Sequence, residues 1–200
     1  MYQADFSSSS KAARKSDGSR SGETQTAEYI RLNPSRKIPT LQDGDYVISE
    51  SAAIVSYLAE TYGAAKNLLL PVGSRERAHY YQWCFFLMME LDANTLYIIR
   101  RHEDLKDIYG DAPNAVKAAR RCFEEQAHAA AQRLAAAGGE YVLGDRFSAA
   151  DVLLTTCLTG AQRRDMALPE SLRDYLKRIT ARPAYQKALQ ANQPSQRTVT

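Results

Sequence analysis

The chain has 200 residues, of which 44% are hydrophobic and 24% charged, the composition of an ordinary folded protein with a sizeable core. Its 26 basic residues outnumber its 23 acidic ones only slightly, for a net charge of +3, and no basic run interleaved with aromatics supports nucleic-acid binding. No apolar run reaches the roughly 18 residues that cross a bilayer, so no membrane partner is expected.

In chain order, residues 1–22 hold seven serines, two glycines and scattered charge, and read as weakly ordered. They contain no apolar stretch of the kind a secretory signal needs, and Asp5 and Asp17 argue against an organelle-targeting segment. Glu23 to Leu32 reads as a short helix with Thr24 and Thr26 as candidate caps, stopped by Asn33-Pro34. Lys37-Ile38-Pro39-Thr40-Leu41 and Asp45-Tyr46-Val47-Ile48-Ser49 are β-prone runs around Asp43-Gly44, a strong hairpin signal. Glu50-Ser51 then opens a helix whose apolar stripe is Ile54, Val55, Leu58 and Tyr62, and Gly63 is expected to end it as a left-handed cap.

After a linker over residues 64–73 the pattern is helical throughout. Predicted helices cover Arg75 to about His102, Asn114 to about Ala137, Ser148 to about Arg164, Glu170 to Thr180 and Pro183 to about Asn192, with a frayed tail over 193–200. Cys84, Cys122 and Cys157 are odd in number and widely spaced, as reduced thiols in a cytoplasmic protein would be. His79, His102 and His128 neither pair at helical spacing nor adjoin a cysteine, so no metal site is expected.

Two motifs carry chemistry. A proline inside a strand marks an edge or a special bend; a cis Ile38–Pro39 bond would turn the Ile38 backbone outward to pair with a peptide-like ligand. A plain edge-strand proline is the alternative. Ser51, at a helix N-terminus rich in unpaired N–H groups, suits a carboxylate, and the neighbouring Glu50 suits an ammonium. Together they would clamp the head of an amino acid; an ordinary capping pair is the alternative. A third motif is structural: Ser148 and Asp151 form a capping box, with Phe147 and Val152 placed as a hydrophobic staple.

The ordered run Asn33-Pro34-Ser35-Arg36-Lys37-Ile38-Pro39-Thr40-Leu41, Asp43-Gly44, Glu50-Ser51-Ala52-Ala53-Ile54 and Tyr57-Leu58-Ala59-Glu60 resembles the glutathione S-transferase family. So does the run from Gly144 to Val152, which matches the helix-nucleating motif of that family's C-terminal domain. The resemblance covers roughly residues 22–192. It implies a cis Pro39, pairing of the Ile38 backbone with the cysteinyl amide of glutathione, and Glu50 and Ser51 on the γ-glutamyl head. Arg36 and Lys37 would approach the glycine carboxylate, and Asp92 would help hold the glutamyl amine across a dimer interface. Tyr80, Tyr81, Trp83, Phe85, Phe86, Asn94 and Tyr97 share the helix of Asp92; most of the aromatics are expected in the core.

The expected fold is an α/β thioredoxin-like N-terminal domain over 1–66, truncated and lacking part of the first βαβ, plus an all-α helical bundle over 74–192. A βαβ unit needs about 30 residues or more, and only 21 precede Gly22. Met1 to Phe6 would be a first strand, Ser7 to Ser10 its loop and Lys11 to Lys15 a stub of helix. The family's thiol-activating residue follows the first strand, and no serine of Ser7–Ser10 stands out for that role. By the resemblance, the protein is a homodimeric transferase that joins glutathione, as co-substrate, to small hydrophobic electrophiles in detoxification. The alternatives are a glutathione-binding scaffold without catalysis, or a related glutathione-dependent isomerase, dehalogenase or peroxidase.

Overall fold

The structure is a computed structural model that describes residues 2–3, 13–14, 22–66, 68 and 70–192. The chain divides into two compact units, Met1–Gly63 and Ala64–Thr200.

The first unit is built on a sheet of order β2-β1-β3-β4. β1 (Tyr2–Gln3) runs parallel to β3 (Thr40–Asp43) and antiparallel to β2 (Ala13–Arg14). Ala13 and Arg14, within the stretch read from sequence as a stub of helix, thus form a strand; ladder pairing with β1 overrides local helix preference at these two residues. β3 and β4 (Tyr46–Ser49) form the expected hairpin, with Leu41 opposite Ile48 and Asp43 opposite Tyr46. That register leaves a two-residue loop of Gly44 and Asp45, with Gly44 at φ 62°, a backbone state that glycine adopts without steric cost.

A single 3₁₀ turn at Glu23–Gln25 precedes α1 (Ala27–Leu32), and Thr26 caps α1 by accepting the Tyr29 N–H at 3.1 Å. α2 (Ser51–Tyr62) packs Ile54 against Leu41, with Ile48, Tyr57 and Leu58 around them. Gly63 ends α2 at φ −93°, in the right-handed region, so the left-handed cap expected from the sequence does not form. Near the C-terminus of α2, the Tyr57 and Tyr62 hydroxyls both donate to the Asp43 carboxylate, and the Tyr46 ring lies 5.2 Å from that of Tyr57.

The second unit is helical. α3 (Arg75–Phe86) runs on through π-type turns over Leu87–Leu96, α4 (Tyr97–Ile99) and further π-type turns over Arg100–Asp104. After the short α5 (Lys106–Tyr109) come α6 (Pro113–Ala137), α7 (Ala149–Gln162), α8 (Glu170–Thr180) and α9 (Pro183–Ala191). Leu87, Leu91, Ile99, Phe123, Leu154, Leu158, Leu172 and Tyr175 form its fully buried centre. Tyr80, Trp83 and Phe86 are buried as expected, whereas Tyr81 and Phe85 face outward.

Ser148 and Asp151 form the capping box at the start of α7. The buried Asp151 carboxylate also accepts from the Val142 N–H at 3.0 Å and the Tyr175 hydroxyl at 2.8 Å, so it ties the preceding loop and α8 to α7. Phe147 packs edge-on against Tyr141 and under the Arg182 guanidinium; Val152, its expected staple partner, is 43% exposed.

Candidate functional site

α1 sets up the site. Tyr29 and Asn33 are four residues apart, which puts them on one face at the helix C-terminus, and Pro34 prevents another turn. Arg36 then takes φ 57°, and the chain reverses toward β3. The Lys37 carbonyl turns inward, where it accepts the Tyr29 hydroxyl at 2.5 Å and the Asn33 Nδ2 at 2.9 Å. The Thr40 hydroxyl closes the group, 2.9 Å from the Tyr29 hydroxyl and 3.0 Å from Asn33 Nδ2. Tyr29, Asn33 and Thr40 are all buried, so each of these polar groups needs the partner it has.

Beyond this anchored carbonyl, the Ile38–Pro39 peptide bond is cis. Ile38 is 41% exposed, and among the described residues no group takes its N–H. The strand resumes at Thr40, so the special bend that the sequence offered as one alternative is the one adopted, rather than a plain edge-strand proline.

Glu50 and Ser51 lie beside this segment for a reason of register. Thr40 pairs with Ser49, so Pro39 and Glu50 follow next at the same end of the hairpin. Glu50 sits at φ 70°, just before α2, and its side chain makes no capping bond. The simple capping role weighed for this pair is therefore not taken. Ser51 is the first residue of α2, among N–H groups that have no partner within the helix. One end of the hairpin thus presents an exposed backbone edge, an acidic side chain, a hydroxyl and the positive end of a helix. That set is complementary to a peptide whose head carries both an ammonium and a carboxylate.

The remaining candidates are placed as follows. Arg36 is exposed and its Nη1 lies 3.5 Å from the Gln25 Oε1, which draws the side chain toward the 3₁₀ turn. Lys37 is exposed while its carbonyl is held inward. Asp92 is half-buried in the helical unit, where its charge adds to burial in pushing up the Cys157 thiol. Burial likewise raises the Cys84 thiol, and a protonated, enclosed thiol is a poor nucleophile. Ser7 to Ser10, the run from which a thiol-activating hydroxyl was sought, lie outside the described residues.

Sequence reasoning missed the Tyr29–Asn33–Thr40 group. Asn33 was read as a helix stop and as the start of the family-like run, not as a donor to the Lys37 carbonyl. The available signal was the four-residue spacing of two polar-tipped side chains directly before a proline-containing strand.

The chain is similar to known proteins in both halves. Residues 13–61 match the family described as "Glutathione S-transferase, N-terminal domain", and residues 85–183 match "Glutathione S-transferase, C-terminal domain". The chain is similar to a probable maleylacetoacetate isomerase of Vibrio cholerae, 32% identical over 176 residues, covering 86% of this chain and 80% of that protein. It is also similar to maleylacetoacetate isomerase of Dictyostelium discoideum, 30% identical over 178 residues, covering 86% and 78%. Among solved structures, the fold matches a glutathione transferase homolog from Lodderomyces elongisporus crystallised with two GSH per subunit, at TM-score 0.75 and 21% identity, covering 86% and 84%. With both family domains matched in order, and with relatives aligned over most of their own length, the chain belongs to the glutathione S-transferase family.

Proposed function

We propose that the hairpin end formed by Ile38, Pro39, Glu50 and Ser51 binds glutathione and that the protein presents its thiolate to an electrophilic carbon. The observation that carries this reading is the joint placement of an outward-facing Ile38 backbone with the Glu50–Ser51 pair. The tripeptide lies along the Ile38 edge as an added strand, and its γ-glutamyl head meets Glu50 through the ammonium and Ser51 with the α2 N-terminus through the carboxylate. Arg36 and Lys37 supply positive charge toward the glycine carboxylate.

The acceptor we propose is a carbon–carbon double bond conjugated to carbonyl groups. Two of the relatives aligned over 86% of the chain are named for maleylacetoacetate isomerisation, which favours this class over aryl halides, and a third is named a glutathione S-transferase. A thiolate that adds to such a bond and leaves after rotation converts the cis isomer to the trans isomer. A thiolate that stays attached gives a conjugate. Both outcomes need the same bound nucleophile, so glutathione conjugation of small hydrophobic electrophiles is the second reading. As a further part of the proposal, the protein acts in the cytoplasm as a homodimer, and the exposed Tyr81, Phe85 and Met89 at four-residue spacing support the dimer.

The test has two stages. Calorimetric titration with glutathione is expected to show saturable binding by the purified chain. Turnover is then followed with a cis-configured unsaturated diketo acid and with an activated aryl halide, each with and without glutathione. Glutathione-dependent cis–trans conversion that outpaces aryl conjugation supports the first reading, and the reverse order supports the second. Binding without turnover of either would leave a scaffold.

A further inference from the structure

We infer that Tyr29 and Asn33 are positioning residues that aim, and strengthen, the Ile38 N–H as the donor to a bound tripeptide; this rests on the glutathione reading above. The Lys37–Ile38 peptide is planar. Its C=O and N–H point in opposite directions across a rigid unit. Two buried donors, the Tyr29 hydroxyl and the Asn33 amide, hold the Lys37 oxygen on the inner side. The Ile38 N–H is therefore directed to the outer side, where Ile38 is exposed and no described group takes the proton.

The same clamp acts on the electronics of that amide. A carbonyl that accepts two hydrogen bonds draws density from its nitrogen, and the N–H becomes a better donor, as in any hydrogen-bonded chain. Orientation is the larger share of the effect. Without the clamp the peptide plane is free to rotate, and the donor must be ordered when ligand arrives. The arrangement is specific to the carbonyl. Thr40 bonds both Tyr29 and Asn33 yet makes no bond to the Lys37 oxygen, so it supports the pair without aiming the amide. Asn33 is itself fixed by accepting the Ser35 N–H at 3.0 Å, which sets the rotation of its amide.

This difference supplies the experiment. Tyr29→Phe removes one donor from the carbonyl while keeping the ring, and Thr40→Val removes a hydroxyl from the same buried group while leaving both donors. Thermal unfolding, glutathione Kd by calorimetry and the Ile38 amide resonance by ¹⁵N–¹H spectroscopy are measured for both variants and the wild type. Both variants are expected to lose thermal stability. Tyr29→Phe is expected to raise Kd roughly three- to tenfold, and Thr40→Val to leave it within about twofold. In the wild type, glutathione is expected to shift the Ile38 amide proton downfield and protect it from exchange, and in Tyr29→Phe to do so less.

Equal effects of the two substitutions on Kd would reduce the group to a packing role and overturn the inference. So would a Tyr29→Phe variant whose Kd and Ile38 shift match the wild type. A wild type with no heat of binding and no change at the Ile38 or Ser51 amides is a different pattern. It rejects the glutathione reading itself, and the inference falls with it.

Discussion

In the proposed glutathione site, Ser51 and Glu50 would divide the work by charge. A hydroxyl at the first position of a helix adds a donor to an anion-binding terminus, and hydrogen bonds to a charged group contribute about 1.5–3 kcal/mol. Ser51→Ala is therefore expected to raise the glutathione Kd by roughly tenfold or more. The midpoint of unfolding should stay near that of the wild type, because the Ser51 side chain holds no partner among the described residues. Calorimetry and thermal melts on one sample check both halves of the prediction. At the same scale, Asp43 governs two phenols: hydrogen bonding to its carboxylate raises Tyr57 and pushes Tyr62 up to about 12 from an ordinary 10.0. The native state holds these protons more tightly than the unfolded chain does. The contribution of the contact is therefore full below pH 10 and is lost as pH rises through about 12. In spectrophotometric titration, Asp43→Asn should return Tyr57 and Tyr62 from late titration toward the ordinary range, while Tyr175, raised by burial and by Asp151, stays late.

Among the elements, α7 has the most demanding start. Asp151 receives four donors: the Val142 N–H, the Ser148 N–H at 2.7 Å, the Ser148 hydroxyl at 3.0 Å and the Tyr175 hydroxyl. Asp151→Ala strands all of them in the core, and roughly 3–5 kcal/mol of stability should disappear, read as a fall in the urea midpoint. The capping box was legible in Ser148 and Asp151 because it is local, three residues apart. The Val142 and Tyr175 bonds were not, since they span nine and 24 residues and depend on how the helices pack. α3 shows the opposite limit. Its sequence announces one long helix, but not that Leu87–Leu96 and Arg100–Asp104 adopt i→i+5 bonding. A wider turn moves each side chain to a different face from the one that 3.6-residue spacing assigns, so periodicity cannot place residues such as Asp92 and Asn94. The hairpin end was legible because Asp43-Gly44, Pro39 and Glu50-Ser51 each have a local signature. The clamp on Lys37 was not, because its bonds join a helix to a strand edge across four to eleven residues.

For the whole molecule, the exposed apolar side chains have a pattern. Tyr81, Phe85 and Met89 are 41%, 69% and 53% exposed and recur every four residues along the helix that holds the bundle's centre. The proposed homodimer buries this stripe. Phe85→Lys should then shift the light-scattering mass from two copies toward one, while the helical content measured by circular dichroism is retained. A wild-type protein that already runs as a single copy would reject the dimer. The family was legible because its motifs fall in order along both halves of the chain, each tied to a turn, a helix start or a cap that local chemistry dictates.

Trp83 is the chain's single tryptophan, is 5% exposed and meets Phe86 edge-on within the helical unit, whereas Tyr46, Tyr57 and Tyr62 cluster in the other unit. Indole emission has a single address and tracks loosening of the bundle. Tyrosine dichroism would mix both halves, since Tyr80, Tyr81, Tyr141 and Tyr175 also sit in the helical unit, so the amide resonances of β3 and β4 report loosening of the hairpin. Superimposable curves from both signals in denaturant would mean that the halves melt as one cooperative body; separated curves would give each half its own free energy.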